Sequence, residues 1–233
     1  MRDLGVAIST DLSWSLHIND IVARGRSLAS WVFSVFRARD SITILTLYKS
    51  LIRSILEYCC PLWNPQKLTD IRLLEGVQRT VTSKIVGVKH LGYWDRLKAL
   101  NLMSLQRRRE RYIILLMWKV LNKCSPNDLD IQFGMPSRLG IQAKLPKLRK
   151  QSTMHHQRVY DNSFAVLGPK LWNSIPVGLT TLTSFDEFKN KLTNFLKSLP
   201  DNPPTTGYIG SNNNSILDWR YSNKITDKND KKW

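Results

Sequence analysis

The sequence contains few of the side chains from which metal sites and nucleophilic catalytic sites are built. Its 233 residues include four histidines and three cysteines. His155 and His156 are adjacent and therefore point in different directions, and no cysteine lies at metal-motif spacing from them. Cys59 and Cys60 are adjacent and Cys124 stands alone, so they provide no disulfide framework. We expect no metal, no cofactor and a reducing, intracellular compartment, without distinguishing nucleus from cytoplasm.

Motifs that carry catalysis are missing as well. The sequence contains no Gly-rich phosphate loop, no Gly-x-Ser-x-Gly pattern and no His-Glu-x-x-His pattern. Asp128 and Asp130 form one loose pair, whereas two-metal phosphoryl transfer needs carboxylates that converge on metal ions about 4 Å apart. No run approaches the roughly 20 apolar residues of a membrane span, and nothing at the start resembles a signal peptide. We therefore predict no catalytic residues and no membrane partner.

Positive charge is abundant and unevenly distributed. The 35 Lys and Arg residues against 18 Asp and Glu residues give a formal net charge of +17. Residues 101–150 carry eleven basic and three acidic side chains, a surplus of eight. A surplus of this kind favours a polyanionic partner, above all nucleic acid. The predicted nucleic-acid-binding residues are Arg107, Arg108, Arg109, Arg111, Lys147, Arg149 and Lys150.

The four arginines of this set fall in the first turns of a helix predicted over residues 105–122. Cationic side chains near a helix N-terminus oppose the helix dipole by a few tenths of a kcal/mol each. A cluster that is kept there despite this cost suggests an external anion. The alternative interpretation is a helix start that is simply solvated.

Hydrophobic periodicity predicts a mainly α-helical protein organised around residues 41–65. We expect this helix to begin near Asp40 or Ser41 and to end at Pro61, with apolar side chains around most of its circumference. The predicted apolar positions are Ile44, Leu45, Tyr48, Leu51, Ile52, Ile55, Leu56, Tyr58 and Cys59.

The remaining elements follow from the same patterns. A short strand is predicted over residues 4–8, a helix from His17 with Gly25 allowing close packing, and helices over residues 69–86 and 93–102. Residues 125–160 show no clear period, and residues 164–176 are typical of a tight turn. Ser184 begins a capping-box pattern that opens a final helix. After Pro200 the composition is typical of a disordered tail.

Several sequence blocks, in this order, resemble the reverse transcriptases of non-LTR (LINE-type, jockey-like) retrotransposons. The blocks are D-L-G-V at residues 3–6, D-L-S-W-S-L-H-I at 11–18, Y-K-S-L-I-R-S-I-L-E-Y-C-C-P-L-W-N-P at 48–65, L-E-G-V-Q-R at 74–79, Y-W-D-R-L-K-A-L-N-L-M-S-L-Q-R-R-R at 93–109, G-P-K-L-W-N-S-I-P at 168–176 and S-F-D-E-F-K at 184–189. Together they cover residues 3–198.

This resemblance implies a domain organisation. Residues 1–14 would be a strand remnant from the end of the palm, and residues 15–124 a thumb-like helical bundle that grips a template–primer duplex. Residues 125–199 would form a basic irregular segment with a C-terminal helix, followed by a disordered tail at 200–233. The fingers and the catalytic palm with its Tyr-x-Asp-Asp box would lie before Met1, and no two aspartates are adjacent in this sequence.

The expected function is therefore that of a non-catalytic C-terminal fragment of an RNA-directed DNA polymerase. Its partner would be an RNA–DNA or DNA duplex, bound without sequence preference. A helical scaffold that binds proteins and has no nucleic-acid function is the alternative. Polymerase activity does not carry over, because the family's paired aspartates are missing.

Overall fold

The computed structural model describes residues 1–65, 67–124, 143, 153–199, 201 and 215–217. It is mainly helical, with one two-stranded sheet at the N-terminus, which confirms the predicted fold class. The chain divides into two compact units, residues Met1–Gln106 and Arg107–Trp233. This division falls inside the region that the sequence analysis treats as a single bundle.

A short hairpin opens the first unit. Strand β1 (Arg2–Asp3) pairs antiparallel with β2 (Val6–Ala7). Leu4 and Gly5, which join the strands, have φ angles of 43° and 85°. Positive φ at both central residues is typical of the tight turns that match the twist of a hairpin. The predicted strand over residues 4–8 is therefore wrong in its extent, because the chain reverses at Gly5.

Two long helices form the core of the first unit, α1 (Ser15–Val35) and α4 (Leu68–Thr82). The inward positions predicted for α4 and the residues after it are all buried, which confirms the pattern: Ile71, Leu74, Val77, Val81 and Ile85. A Cβ on Gly25 of α1 would lie 3.2 Å from Leu56 Cδ2 and 3.6 Å from Val77 Cγ1. Close approach at Gly25 is thus confirmed as well.

The central helix is interrupted by a π-helical stretch. Helix α2 (Ser41–Leu47) passes through a π-helical segment (Tyr48–Ile52) into α3 (Arg53–Glu57). The Asp40 side chain accepts a hydrogen bond from the Thr43 N–H at 2.8 Å, so the predicted start is confirmed. The buried positions recur at every fourth residue: Ile44, Tyr48, Ile52 and Leu56. An α-helix has about 3.6 residues per turn, and the wider π-helical turn keeps a four-residue repeat in line.

Two parts of the central-helix prediction are wrong. Only one stripe is deeply buried, since Leu51 and Ile55 are half-buried and Tyr58 is 52% exposed. The helix also ends at Glu57 rather than at Pro61. Cys59 has a left-handed φ of 52°, and the chain then turns back to bury Trp63.

Helix α5 (Tyr93–Ala99) and helix α6 (Leu105–Leu121) lie close to their predicted positions. The second unit continues with α7 (Met154–Asp161), α8 (Phe164–Trp172), α9 (Val177–Thr180) and α10 (Phe185–Ser198). The Ser184 side chain accepts from the Glu187 N–H at 3.5 Å, as a capping box predicts. Trp118 of α6 donates through Nε1 to the Leu182 carbonyl at 3.0 Å.

The segments predicted as irregular differ most from the structure. Helix α7 covers the end of residues 125–160, for which we predicted an irregular segment, and extends one residue beyond it. Helix α8 replaces the predicted tight turn. Gly168 and Pro169 form a typical turn pair, but both are buried inside α8. A Cβ on Gly168 would lie only 2.7 Å from Met117 Sδ. Packing on α6 therefore overrides the local turn signal.

The predicted disordered tail is described only at Asp201 and residues 215–217. Ser215 and Ile216 are buried there. The Ile216 N–H donates to Glu110 Oε2 of α6 at 3.1 Å. This part of the tail thus packs within the second unit.

Candidate nucleic-acid-binding surface

Three of the four arginines predicted to bind nucleic acid are buried. Arg107 and Arg109 are each 1% exposed and Arg111 is 9% exposed. Arg107 Nη1 donates to the Leu196 carbonyl at 3.2 Å, and Arg111 Nε donates to Thr193 Oγ1 at 2.9 Å. Both acceptors belong to α10, so these side chains fasten α6 to α10. While this packing holds, they present little surface to an external phosphate.

The remaining predicted residues are placed differently. Arg108 is half-buried, lies over the Tyr112 ring at 5.6 Å and donates to the Tyr112 hydroxyl at 3.0 Å. Lys147, Arg149 and Lys150 lie outside the described residues. Contact of these residues with nucleic acid stays a prediction.

The N-terminus of α6 contacts a negative charge that belongs to the chain itself. The Leu105 N–H donates to Glu75 Oε2 at 3.0 Å and to Oε1 at 3.3 Å. Ser104 and Gln106, which flank this amide, are buried. The start of the helix is therefore buried, and the negative charge at its Leu105 amide comes from an internal carboxylate. Negative charge at this end of a helix is favoured by the dipole.

Glu75 belongs to a buried polar network that the sequence analysis missed. Gln78 Nε2 donates to Glu75 Oε1 at 3.2 Å, to the Tyr93 hydroxyl at 3.0 Å and to the Met103 carbonyl at 3.2 Å. The Tyr48 hydroxyl donates to Gln78 Oε1 at 2.6 Å, and the Tyr93 hydroxyl donates to Glu75. Buried polar groups satisfied in this way fix a unique arrangement of the surrounding core.

The groups of this network act as hydrogen-bond donors and acceptors that stabilise the fold. Burial, and then the negative charge of Glu75, raise the pKa of the Tyr93 phenol far above its usual range. Tyr93 therefore remains a hydrogen-bond donor at any physiological pH. A signal was present in the sequence, since Glu75 and Gln78 stand beside Leu74, Val77 and Val81 on the inward face of α4.

Three exposed arginines of the first unit lie close together on α1 and α4. We call Arg26, Arg72 and Arg79 the basic stripe. All three are exposed. Arg72 and Arg79 are seven residues apart, so they share one face of α4 with about 10 Å between their Cα atoms. Arg26 Nη2 lies 3.9 Å from the position that a Cβ on Gly76 would take, which places Arg26 against α4 between the other two.

The acidic side chains described near the basic stripe bond to other groups. Buried Glu75, which lies between Arg72 and Arg79 in the sequence of α4, accepts hydrogen bonds from the Leu105 N–H and the Tyr93 hydroxyl. Asp20 of α1 pairs with Arg2 and Arg24. Asp70 of α4 is buried and accepts a hydrogen bond from Ser15 Oγ at 2.8 Å. Among the described residues, no carboxylate forms an ion pair with an arginine of the stripe. Residues of this surface are therefore available to an anionic partner.

Tyr93 joins the basic stripe to the buried network. The Arg79 guanidinium lies 4.7 Å from the centre of the Tyr93 ring. A cation held over an aromatic face is stabilised by about 0.5–1 kcal/mol at an exposed site. The stacking fixes the Arg79 guanidinium beside Tyr93 while the residue remains exposed. The helical pattern of the sequence predicts only that Arg72 and Arg79 are polar positions of a core helix. It gives no indication that Arg26 lies beside them.

The described part of the chain contains neither a membrane-spanning helix nor a metal-binding cluster. No helix there is both long enough and apolar enough to cross a bilayer. Within the same ranges, no group of three or more His, Cys, Asp or Glu side chains could hold a metal ion.

Comparisons of the chain with protein-family models, with curated proteins and with solved structures found no match.

Proposed function

We propose that this chain is a non-catalytic, nucleic-acid-binding part of a retrotransposon reverse transcriptase, and that its thumb-like helices hold a duplex by the sugar–phosphate backbone. The observation that carries the proposal is the basic stripe of three exposed arginines without acidic partners in the described structure. The net charge of +17 and the ordered sequence blocks support it.

The spacing of the stripe suits a phosphate backbone. Duplex DNA carries one negative charge per about 1.7 Å of its axis when both strands are counted, so side chains about 10 Å apart can each meet a different phosphate. Arginine binds phosphate through a planar fork of N–H donors and keeps its charge at all relevant pH values. Contacts of this kind position a duplex without reading its sequence. The proposed partner is therefore an RNA–DNA or DNA duplex of any sequence.

The test is a salt titration of binding by fluorescence anisotropy, with labelled DNA and RNA–DNA duplexes. The stripe variant changes Arg26, Arg72 and Arg79 to Gln. Each phosphate contact contributes about 0.9 to the slope of log K against log salt. We expect the variant to bind more weakly on every sequence and to flatten the slope by about two to three.

The matched control removes the same charge elsewhere in the first unit. Lys49, Lys89 and Lys98 are exposed and lie outside the stripe, and their change to Gln should leave most of the slope intact. A second variant, Arg108→Gln, tests the one half-buried arginine of the α6 cluster. Equal slopes for the stripe variant and the lysine control would refute the stripe as the binding surface.

A protein-binding scaffold is the second candidate, and one observation favours it. Trp31 and Val35, four residues apart on α1 and so on one face of it, are 51% and 53% exposed. Large apolar side chains exposed near one another can mark a protein interface. Binding through such a face would respond little to salt, so a stripe variant that keeps the parent's affinity and slope would favour this function.

A further inference from the structure

A cavity of about 440 Å³ opens in the first unit between the hairpin turn, α1 and α3. Leu4, Gly5, Ile21 and Ile55 supply apolar walls. Its volume lies within the range of about 300–1,000 Å³ that is usual for small-molecule sites. The basic stripe contributes no side chain to this cavity.

The rim of the cavity carries an excess of positive charge. Arg24 lines the cavity, and its Nη2 lies 3.2 Å from Asp20 Oδ2. Arg2 Nη2 lies 2.6 Å from the same oxygen. Two guanidinium groups thus share one carboxylate, and the three groups together carry one net positive charge. Glu57, the carboxylate of α3, pairs with Arg53 at 3.7 Å and so does not neutralise Arg24 or Arg2.

His17, which also lines the cavity, is buried with one nitrogen unsatisfied. Its Nδ1 accepts a hydrogen bond from the Ala7 N–H at 3.3 Å. Burial, and then the charge of Arg24, lower the pKa of His17, so the ring is neutral at pH 7 and its proton is on Nε2. In the described structure Nε2 has no hydrogen-bond partner. A buried donor without an acceptor is unfavourable, because its lost hydration is not replaced by a hydrogen bond.

The contacts of the His17 ring do not replace this missing acceptor. The ring meets Trp63 edge-on, with 5.2 Å between the ring centres. Contacts between an N–H group and an aromatic ring are weak compared with hydrogen bonds to oxygen. Nε2 is also closed off from solvent, so His17 contributes a neutral, buried wall to the cavity and not a nitrogen that a ligand contacts directly.

A hydrogen bond from Tyr58 fixes the mouth of the cavity. The Tyr58 hydroxyl donates to the Leu4 carbonyl at 3.1 Å and so ties the hairpin turn to the end of α3. Tyr58 and Ser54 both line the cavity and are exposed. The cavity is thus bordered by residues that a substitution can change without disturbing the core.

We propose that this cavity binds a small amphiphilic anion. Such a molecule carries one carboxylate or sulfonate group on a hydrophobic ring or chain. The apolar part packs against Ile21 and Ile55. The anionic group meets Arg24, which belongs to the group of side chains that carries the excess positive charge.

The test uses the aromatic sulfonate 8-anilinonaphthalene-1-sulfonate, whose fluorescence rises when it leaves water. Ser54→Phe fills the cavity from an exposed position, and Ser50→Phe, one turn earlier on an exposed position outside the cavity, is its control. Arg24→Gln removes the positive charge at the rim. Arg37→Gln removes the same charge at an exposed position that does not line the cavity.

We expect one saturable site in the parent chain, with perturbed backbone NMR signals at Ala7 and His17. Ser54→Phe should weaken binding at least tenfold, and Arg24→Gln about fivefold, the effect of losing about 1 kcal/mol. Ser50→Phe and Arg37→Gln should bind like the parent. If Ser54→Phe loses its helical circular dichroism, Arg24→Gln decides the matter. Equal binding by Arg24→Gln and Arg37→Gln would overturn the proposal, as would equal binding by folded Ser54→Phe and Ser50→Phe.

Discussion

The Leu105 N–H donates to both carboxylate oxygens of Glu75, at 3.0 and 3.3 Å. Helix N-termini leave N–H groups without intrahelical partners, and these are usually satisfied by a side chain a few residues away. Here the acceptor comes from α4, thirty residues earlier in the sequence. The start of α6 is therefore fixed by tertiary structure, and a local reading of the sequence cannot find its cap.

Glu75→Ala should destabilise the first unit strongly. The substitution leaves the Leu105 N–H and the Tyr93 hydroxyl without their common acceptor, whereas the Gln78 amide keeps the Tyr93 hydroxyl and the Met103 carbonyl as acceptors. Each buried donor left without a partner costs about 1–3 kcal/mol. We expect a loss of several kcal/mol in the free energy of unfolding, measured by urea titration of circular dichroism.

Asp95→Ala serves as the control, because Asp95 is 66% exposed and meets Lys98 at 3.9 Å. Exposed ion pairs contribute about 0–1 kcal/mol. Similar losses for the two variants would contradict the central role of Glu75.

Tyr93→Phe should change how stability depends on alkaline pH. In the unfolded chain the phenol ionises near pH 10.0, while in the folded chain burial and the Glu75 charge hold its pKa above that value. Above pH 10 the unfolded state therefore binds fewer protons than the folded state. The free energy of unfolding then falls by up to about 1.4 kcal/mol per pH unit. The variant should lose this contribution and show a flatter dependence of stability on pH in melts between pH 9 and 11.

Helix positions were predictable where apolar residues repeat on one face. Ile71, Leu74 and Val77 identified the core side of α4, and Asp40 identified the start of α2. These features depend on residues that are neighbours in the helix, so the sequence alone contains the information. The π-helical segment was not predictable, because its four-residue repeat is close enough to the α-helical period to be mistaken for it.

The candidate site was predictable only in its overall charge. Arg107 and Arg109 stand in the densest basic cluster of the sequence, yet they are buried and Arg107 bonds to a carbonyl of α10. Arg26 and Arg72 belong to different helices that packing brings together. A count of charges along the chain cannot separate these cases. The difference depends on which arginines find partners elsewhere in the fold.

Ile52→Asp should unfold the first unit, while Leu51→Asp should be tolerated. Ile52 is 1% exposed, whereas Leu51 is half-buried. An unpaired charge in the core costs several kcal/mol, comparable with the whole stability of a small domain. Thermal melts followed by circular dichroism distinguish the two. If Leu51→Asp were as damaging as Ile52→Asp, the buried stripe of the central helix would be misplaced.

Replacing each of two helical glycines with alanine should change the stability of the first unit in opposite directions. A Cβ on Gly76 would meet only Arg26 Nη2, at 3.9 Å, so Gly76→Ala should stabilise by about 0.5–1 kcal/mol through the better helix propensity of alanine. A Cβ on Gly25 would press on buried Leu56 at 3.2 Å. We expect Gly25→Ala to lower the melting temperature and Gly76→Ala to raise it. Equal gains from both would show that α1 is not closely packed at Gly25.

Ile216→Asp should destabilise the second unit, although composition alone assigns this residue to a dispensable tail. Ile216 is 3% exposed, and its N–H donates to Glu110 Oε2 at 3.1 Å. An aspartate there would be buried beside the Glu110 carboxylate, where like charges repel and desolvation is costly. Ile216→Val, which removes one methylene group, should cost only about 0.5–1.5 kcal/mol. Calorimetric melts of the full chain provide the measurement. If Ile216→Asp melts at the parent's temperature, residues 215–217 contribute nothing to the second unit, and removal of residues 200–233 should be harmless.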